Sequence, residues 1–137
     1  KDSLVNIEQT GEFVVNLVSR DIAEAMNLTA AEYPTEINEF ELAGLTPVAS
    51  ELVAAPRVAE SPVSLECKLK QVVIINEGTP KECGLVVAEV IYCHIKDELF
   101  DGRYVDMKGL DIIGRLGGHS YCHVDNLFDM KLPIYKE

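Results

Sequence analysis

The second half of the chain contains two long stretches that predict β-strands. Between residues 62 and 69, apolar and polar side chains alternate, which is the period of a strand with one buried face. Residues 85–95 form the second long stretch, and the segment 76–80 (Asn-Glu-Gly-Thr-Pro) between them has turn chemistry. We therefore expect a long antiparallel hairpin. Its first strand would have a solvated face made of Ser64, Glu66, Lys68 and Lys70.

The sequence of the first half of the chain predicts helices before and after one strand. Asp2 or Ser3 can cap a helix over residues 3–10, and Gly11 follows it as a left-handed stop. Residues 13–18 are apolar on both faces apart from Asn16, a pattern that predicts a buried strand in the middle of a sheet.

Two further helices follow that strand. Asp21 with Glu24 three residues later forms a capping box, which predicts a helix over residues 21–31. Asn38 and Glu41 repeat that signature before a short third helix that Gly44 ends.

A last strand is expected at residues 103–107, after the turn signal of Asp101 and Gly102. Helices early and strands late predict a mainly β fold with helical insertions, built as an antiparallel barrel rather than as alternating βαβ units. We expect one domain over residues 1–137. Because the chain opens at Lys1 without an initiator methionine, we also expect that an N-terminal portion is missing.

The net charge of the chain limits the kinds of partner that it is expected to bind. A formal net charge of −11 and a pI near 4.6 disfavour nucleic acids and anionic membranes, whose binders present basic surfaces. No stretch approaches the roughly 20 apolar residues of a membrane span, and the first 20 residues lack the pattern of a signal peptide. We therefore expect a cytoplasmic protein. Its cysteines are expected to be free thiols: Cys67, Cys83, Cys93 and Cys122.

The glycine-rich run at residues 114–118 lacks the spacing of either common nucleotide-binding loop. Its glycines would still let the backbone approach a flat ligand, with Arg115 supplying a cation and Tyr121 a ring. The alternative, which the spacing alone favours, is a glycine turn or bulge.

The histidines give weaker signals. His119 and His123 have a spacing that could serve zinc on a helix, but the preceding glycines disfavour a helix there. His94 alternates with Val90 and Tyr92, which favours a hydrogen-bonded strand histidine over a catalytic base. No spacing supports a hydrolytic triad.

The helix start beside Lys1 is a further candidate site. Unpaired backbone amides and the positive end of the helix dipole favour an anion such as a phosphate there. The alternative is an ordinary capped helix with a solvated lysine.

Six segments are informative when they are taken together in their order along the chain: residues 1–7, 12–16, 25–27, 39–47, 56–67 and 113–121. Together they resemble the flavin reductase-like, FMN-binding split-barrel family, whose Lys-Asp-Thr helix start is matched by Lys1-Asp2-Ser3. The resemblance implies an antiparallel split β-barrel, of which this chain would be the C-terminal part, incomplete at the N-terminus.

The resemblance also implies the site. Lys1, Asp2 and Ser3 would lie at the phosphate of FMN, which is expected in preference to FAD. Arg115, Gly118 and Tyr121 would lie near the flavin ring or the partner subunit, and Asn27 is a further candidate on the second helix. No residue need act as a catalytic acid or base, because the flavin carries the redox chemistry.

The implied activity is NAD(P)H-dependent flavin reduction by a homodimer, with reduced flavin released to an electron-acceptor protein. Two alternatives stay open. The chain could be a non-catalytic FMN-binding electron carrier, or a truncated domain that has lost its cofactor site and acts only in protein association.

Overall fold

The computed structural model describes residues 2–135. Its helices are α1 (Asp2–Thr10), a 3-10 turn (Arg20–Ile22), α2 (Ala23–Leu28), α3 (Glu39–Ala43) and a second 3-10 turn (Asp97–Leu99). Its strands are β1 (Glu12–Asn16), β2 (Pro47–Val48), β3 (Arg57–Val58), β4 (Val63–Ile75), β5 (Cys83–Ile95), β6 (Ile113–Arg115) and β7 (Tyr121–His123).

The predicted hairpin is confirmed and is the largest element of the fold. Strands β4 and β5 are 13 residues each and pair antiparallel, with register shifts between Glu66 and Cys67 and between Leu69 and Gln71. Such shifts bend and twist a hairpin. The hairpin carries β1 on one side, and the pairs β2–β3 and β6–β7 form two small separate sheets. The sheets of the described residues do not close into a barrel.

Strand β1 exists as predicted, but its position in the sheet was predicted wrongly. Within the described residues it lies at one edge of the three-stranded sheet and pairs only with β4. It is also only partly buried. Apolar residues on both faces of a strand therefore do not by themselves place it between two other strands.

The predictions for the first two helices were partly right. Gly11 ends α1 with a φ of 71°, but α1 begins at Asp2, so Ser3 lies inside the first turn instead of capping it. The single helix expected over residues 21–31 is a 3-10 turn followed by the six-residue α2. The capping box of Asp21 and Glu24 does not form, because Asp21 already lies inside the 3-10 turn.

The capping prediction for α3 is confirmed. The Asn38 side chain accepts a hydrogen bond from the backbone N–H of Phe40 at 3.1 Å and donates one to the Glu41 carboxylate at 3.2 Å. Gly44 follows with a φ of 65°, the left-handed conformation that glycine adopts without strain.

The strand expected at residues 103–107 is wrong. Asp101 accepts hydrogen bonds from the backbone N–H groups of Arg103 and Tyr104, and Asp106 accepts them from Lys108 and Gly109. These two aspartate turns compete with a strand ladder, of which only a bridge between Phe100 and Val105 remains.

The core lies where the base of the hairpin meets the chain that follows it. Val63, Leu99 and Leu110 are buried together, and Leu17, Leu65, Ile95, Val105 and Ile112 pack against them. No helix in residues 2–135 has the length and apolar character needed to cross a bilayer.

The solvated face expected for β4 is wrong in its first half. Lys68 and Lys70 are exposed, but Ser64 is 2% and Glu66 0% exposed. The segment at residues 51–53 lies over this part of the strand and donates backbone hydrogen bonds to Glu66. A charged residue is therefore buried where strand alternation alone predicts solvent.

Candidate functional site

Three of the predicted site residues line one cavity. A space of about 730 Å³ opens between α2 and the β6–β7 hairpin, and Asn27, Arg115 and Tyr121 are on its wall. The β6–β7 register places Arg115 directly opposite Tyr121, and the guanidinium lies 5.8 Å from the centre of the Tyr121 ring. The hairpin therefore presents a cation and an aromatic ring together.

Gly118 belongs to the turn of this hairpin. Its φ is 64°, and its carbonyl accepts a 3.5 Å hydrogen bond from Arg115. The interpretation of the glycine run as a β-turn is confirmed. The turn also keeps the Arg115 head group near the cavity, so the turn and the ligand-binding interpretation are compatible.

The same cavity contains residues that were not predicted from the sequence to lie at a flavin site. His119 and His123, weighed only as zinc ligands, line it together with Glu24. Alternation along β7 was the available signal, because it places Tyr121 and His123 on one face of the strand. Among the described residues, no group of three or more His, Cys, Asp or Glu side chains could hold a metal ion.

A second cavity, of about 470 Å³, lies beside the start of α1. Ser3, Asn6 and Thr10 line it from the helix, and Ala54 and Ala55 from the segment opposite. Ser3 is exposed, so the first turn of the helix is open to a ligand. Lys1 lies outside the described residues, and only the backbone of Asp2 is described. This cavity shares no lining residue with the one at Arg115.

Two buried or partly buried carboxylates hold the wall of this second cavity. Glu66 accepts hydrogen bonds from the backbone N–H groups of Glu51 and Leu52, both at 2.7 Å, and of Val53 at 3.2 Å. Glu12 on β1 accepts one from Ala54 at 2.6 Å. Strands β1 and β4 thereby fix the backbone that leads into the cavity wall.

The charge on Glu66 is stabilised despite its burial. Burial alone would raise its pKa, but the hydrogen bonds from His94 and from the amides of Glu51 and Leu52 outweigh that effect and lower the pKa to about 2. His94 Nε2 lies 2.5 Å from Glu66 Oε1, which confirms His94 as a hydrogen-bonded strand histidine. The neighbouring thiol of Cys67 has its pKa raised by burial, which disfavours the reactive thiolate.

Comparison with known proteins decides the family. The sequence model of the flavin reductase like domain matches residues 1–109. The chain belongs to the flavin reductase-like family. A protein of unknown function from Aquifex aeolicus (strain VF5) is 41% identical over 122 residues, which are 88% of this chain and 60% of that protein. The chain thus spans about three fifths of that relative.

Solved structures agree on the fold of this family member. Nitrilotriacetate monooxygenase component B from Bacillus cereus superimposes with a TM-score of 0.87 at 34% identity, over 95% of this chain and 65% of that one. A split-barrel protein from Shewanella frigidimarina NCIMB 400, described as a flavin reductase, gives a TM-score of 0.84 at 26% identity, over 96% and 66%. The predicted split-barrel class is confirmed.

Proposed function

We propose that this chain is the FMN-binding part of an NAD(P)H-dependent flavin reductase, acting as a single-domain cytoplasmic homodimer. The observation that carries the proposal is the cavity where Asn27, from a helix early in the chain, meets Arg115 and Tyr121, from its last hairpin. Membership of the family supports binding of a flavin, and this cavity is where we place the flavin.

The residues of this cavity fit a flavin. Its volume of about 730 Å³ lies in the range of roughly 300–1,000 Å³ typical of cofactor sites. Tyr121 offers an aromatic face for a planar ring, Arg115 a cation and Asn27 an amide that can both donate and accept. Gly118 lies in the turn beside the cavity and is not on its wall. FMN, when bound, supplies the hydride and electron transfer.

The start of α1 fits the phosphate end of the cofactor. The helix is nine residues long, so its first-turn amides and dipole can act on an anion, and Ser3 adds an exposed hydroxyl. We assign Lys1 and Asp2 to the same end by their place in the family's helix start. Ser3 there replaces the family's threonine and conserves the hydroxyl.

The two cavities have entirely different lining residues, which supports a site assembled from two subunits. Because they share no lining residue, we propose that Ser3 of one subunit and Arg115 of the other serve the same flavin. The C-terminal segment supports association, since alternate side chains in it are apolar and largely exposed: Phe128 78%, Met130 84%, Leu132 90% and Ile134 85%. Exposed apolar surface on this scale marks protein interfaces.

The direct test is an absorption spectrum of the purified chain, followed by titration of the flavin-free protein with FMN and FAD. We expect flavin absorption in the visible range, tighter binding of FMN, and oxidation of NADH or NADPH when free flavin is added. A colourless protein that ignores both flavins would overturn the proposal. Bound flavin without nicotinamide oxidation would instead favour an electron carrier.

Subunit sharing has its own test. A Ser3→Glu chain and an Arg115→Glu chain should each bind FMN poorly, but a mixed dimer should regain one intact site in two. When the two are unfolded and refolded together, random pairing makes about half of the dimers mixed, so recovery of about a quarter of the parent's FMN stoichiometry supports a shared site. No recovery in mixed dimers, verified by mass, would place both ends of the site in one subunit.

The similarity to component B of a monooxygenase supports a role in supplying reduced flavin to a second protein. Release of reduced FMN would show as reduction of free cytochrome c that depends on added flavin. A strict requirement for a bound protein acceptor would contradict free release.

A further inference from the structure

A third cavity, of about 320 Å³, lies between β3, the start of β4 and the end of β5. Arg57, His94 and Lys96 line it, together with Tyr92 and Ser64. No carboxylate is among its lining residues, whereas Glu24 lines the cavity at Arg115 and Glu12 the one at α1. Neither Arg57 nor Lys96 was predicted from the sequence to have a function.

This concentration of positive charge is unexpected from the composition. The chain has 12 Lys and Arg residues against 23 Asp and Glu residues, so cations on its surface have many carboxylates available as partners. Arg57 and Lys96 nevertheless take part in none of the ion pairs found among residues 2–135. Two cations without an ion-pair partner at one opening give a local field that attracts an anion.

Both cations are held in place by backbone carbonyls, which do not neutralise them. Arg57 donates from Nε and from a terminal nitrogen to the carbonyl of Ala49, both at 3.2 Å. Lys96 Nζ donates to the carbonyl of Glu60 at 3.1 Å, which leaves further N–H groups free. The site is therefore partly preorganised, because fixing these side chains costs little more when a ligand arrives.

Two carboxylates lie close to this site without lining the cavity: that of Glu66, whose Oε1 is 2.5 Å from His94 Nε2, and that of Glu60. Glu60 accepts hydrogen bonds from the Thr46 backbone N–H at 3.1 Å. Those hydrogen bonds first, and the charge of Lys96 to a smaller degree, lower the pKa of Glu60. Glu60 thus moderates the field of Lys96 without occupying the opening.

Aromatic rings border the same opening. The rings of Tyr92 and His94 have their centres 4.8 Å apart at an angle of 46°, and Tyr92 is 42% exposed. Glu66 fixes the His94 ring from the buried side. An exposed ring beside two cations is the combination that recognises a base with an attached phosphate.

We propose that this cavity binds a nucleoside monophosphate group, with Arg57 and Lys96 on the phosphate and the Tyr92 ring against the base. Guanidinium and ammonium groups are the usual partners of phosphate oxygens. The volume suits a phosphate with its sugar, and the base would extend over Tyr92. This site is additional to the two cavities assigned to the flavin and does not depend on that assignment.

The test is an NMR titration of the full chain with adenosine 5′-monophosphate and with adenosine, each with and without saturating FMN. We expect AMP to bind roughly tenfold more tightly than adenosine, since one charge-assisted contact is worth about that factor. Lys96→Met should remove most of this advantage. Lys81→Met, which deletes an exposed lysine in the β4–β5 turn, should leave it unchanged.

A second variant covers the case in which Lys96→Met fails to fold. Arg57→Lys keeps the charge but loses the two-pronged donor, so it should weaken AMP by several-fold and leave adenosine unaffected. Equal binding of AMP and adenosine would overturn the proposal. Displacement of AMP by FMN would also overturn it. An equal loss of AMP affinity in Lys81→Met and Lys96→Met would overturn it too.

Discussion

The carboxylate of Glu66 on β4 and the imidazole of His94 on β5 meet across the hairpin, with 2.5 Å between Glu66 Oε1 and His94 Nε2. Glu66 is fully buried, and its remaining acceptor positions receive three backbone N–H groups from residues 51–53. One side chain thus joins the hairpin to a loop that precedes it in sequence.

This arrangement predicts an acid-sensitive stability. The pKa of Glu66 is lowered from 4.5 to about 2 in the folded chain, so the unfolded state binds a proton first as the pH falls. The stabilisation is fully present above pH 4.5 and is lost progressively as the pH falls towards 2. Urea unfolding at a series of pH values should show this decline. Glu66→Gln should show a shallower one, and parallel curves would contradict the assignment.

Glu66→Gln should also destabilise the chain at neutral pH. Glutamine keeps the shape but loses the charge, and its amide hydrogens would face backbone donors. We expect a loss of about 2–3 kcal/mol in the free energy of unfolding. Glu36→Gln, on an exposed glutamate, is the matched control and should change stability by less than about 0.5 kcal/mol.

The flavin assignment at the second hairpin predicts a selective loss of affinity. Arg115→Met should weaken FMN binding by roughly tenfold, because a charged contact beside the Tyr121 ring is removed. Arg103 offers a close control, since its guanidinium lies 4.9 Å from the ring centre of Tyr104, outside the Arg115 cavity. Arg103→Met should leave the FMN dissociation constant unchanged when measured by fluorescence quenching.

The assignment of the phosphate to the start of α1 predicts that, at residue 3, FMN binding depends on the hydroxyl group. Ser3→Thr should bind FMN as the parent does, and Ser3→Ala should bind it roughly three- to tenfold less tightly, the range expected for one neutral hydrogen bond. Riboflavin, which lacks the phosphate, should bind all three chains alike. Equal losses for riboflavin and FMN would move the phosphate away from α1.

The sequence correctly predicted those elements whose patterns lie within a few neighbouring residues. The hairpin followed from alternation and a turn, and the cap of α3 from Asn38 and Glu41, because each pattern is completed within a few residues. The strand at 103–107 failed for a local reason too, since the carboxylates of Asp101 and Asp106 bind nearby backbone amides in place of a neighbouring strand.

What could not be predicted depends on contacts between distant segments. Alternation assigned Glu66 to solvent because nothing in β4 itself shows that residues 51–53 supply three donors. The cavity at Arg115 was foreseen only as separate candidates, since Asn27 reaches it through the packing of α2. The cation pair of Arg57 and Lys96 gave no signal, because their meeting depends on how β3 packs beside the base of the β4–β5 hairpin.

The topology of the main sheet has a consequence for the order in which it assembles. Strands β4 and β5 are joined by a short turn, whereas Asn16 at the end of β1 bonds to Ser64, 48 residues away. Closing that loop costs more chain entropy than closing the turn, so the hairpin should form first and β1 should dock onto it. Substitutions within the hairpin should then slow refolding, while those in β1 should mainly accelerate unfolding.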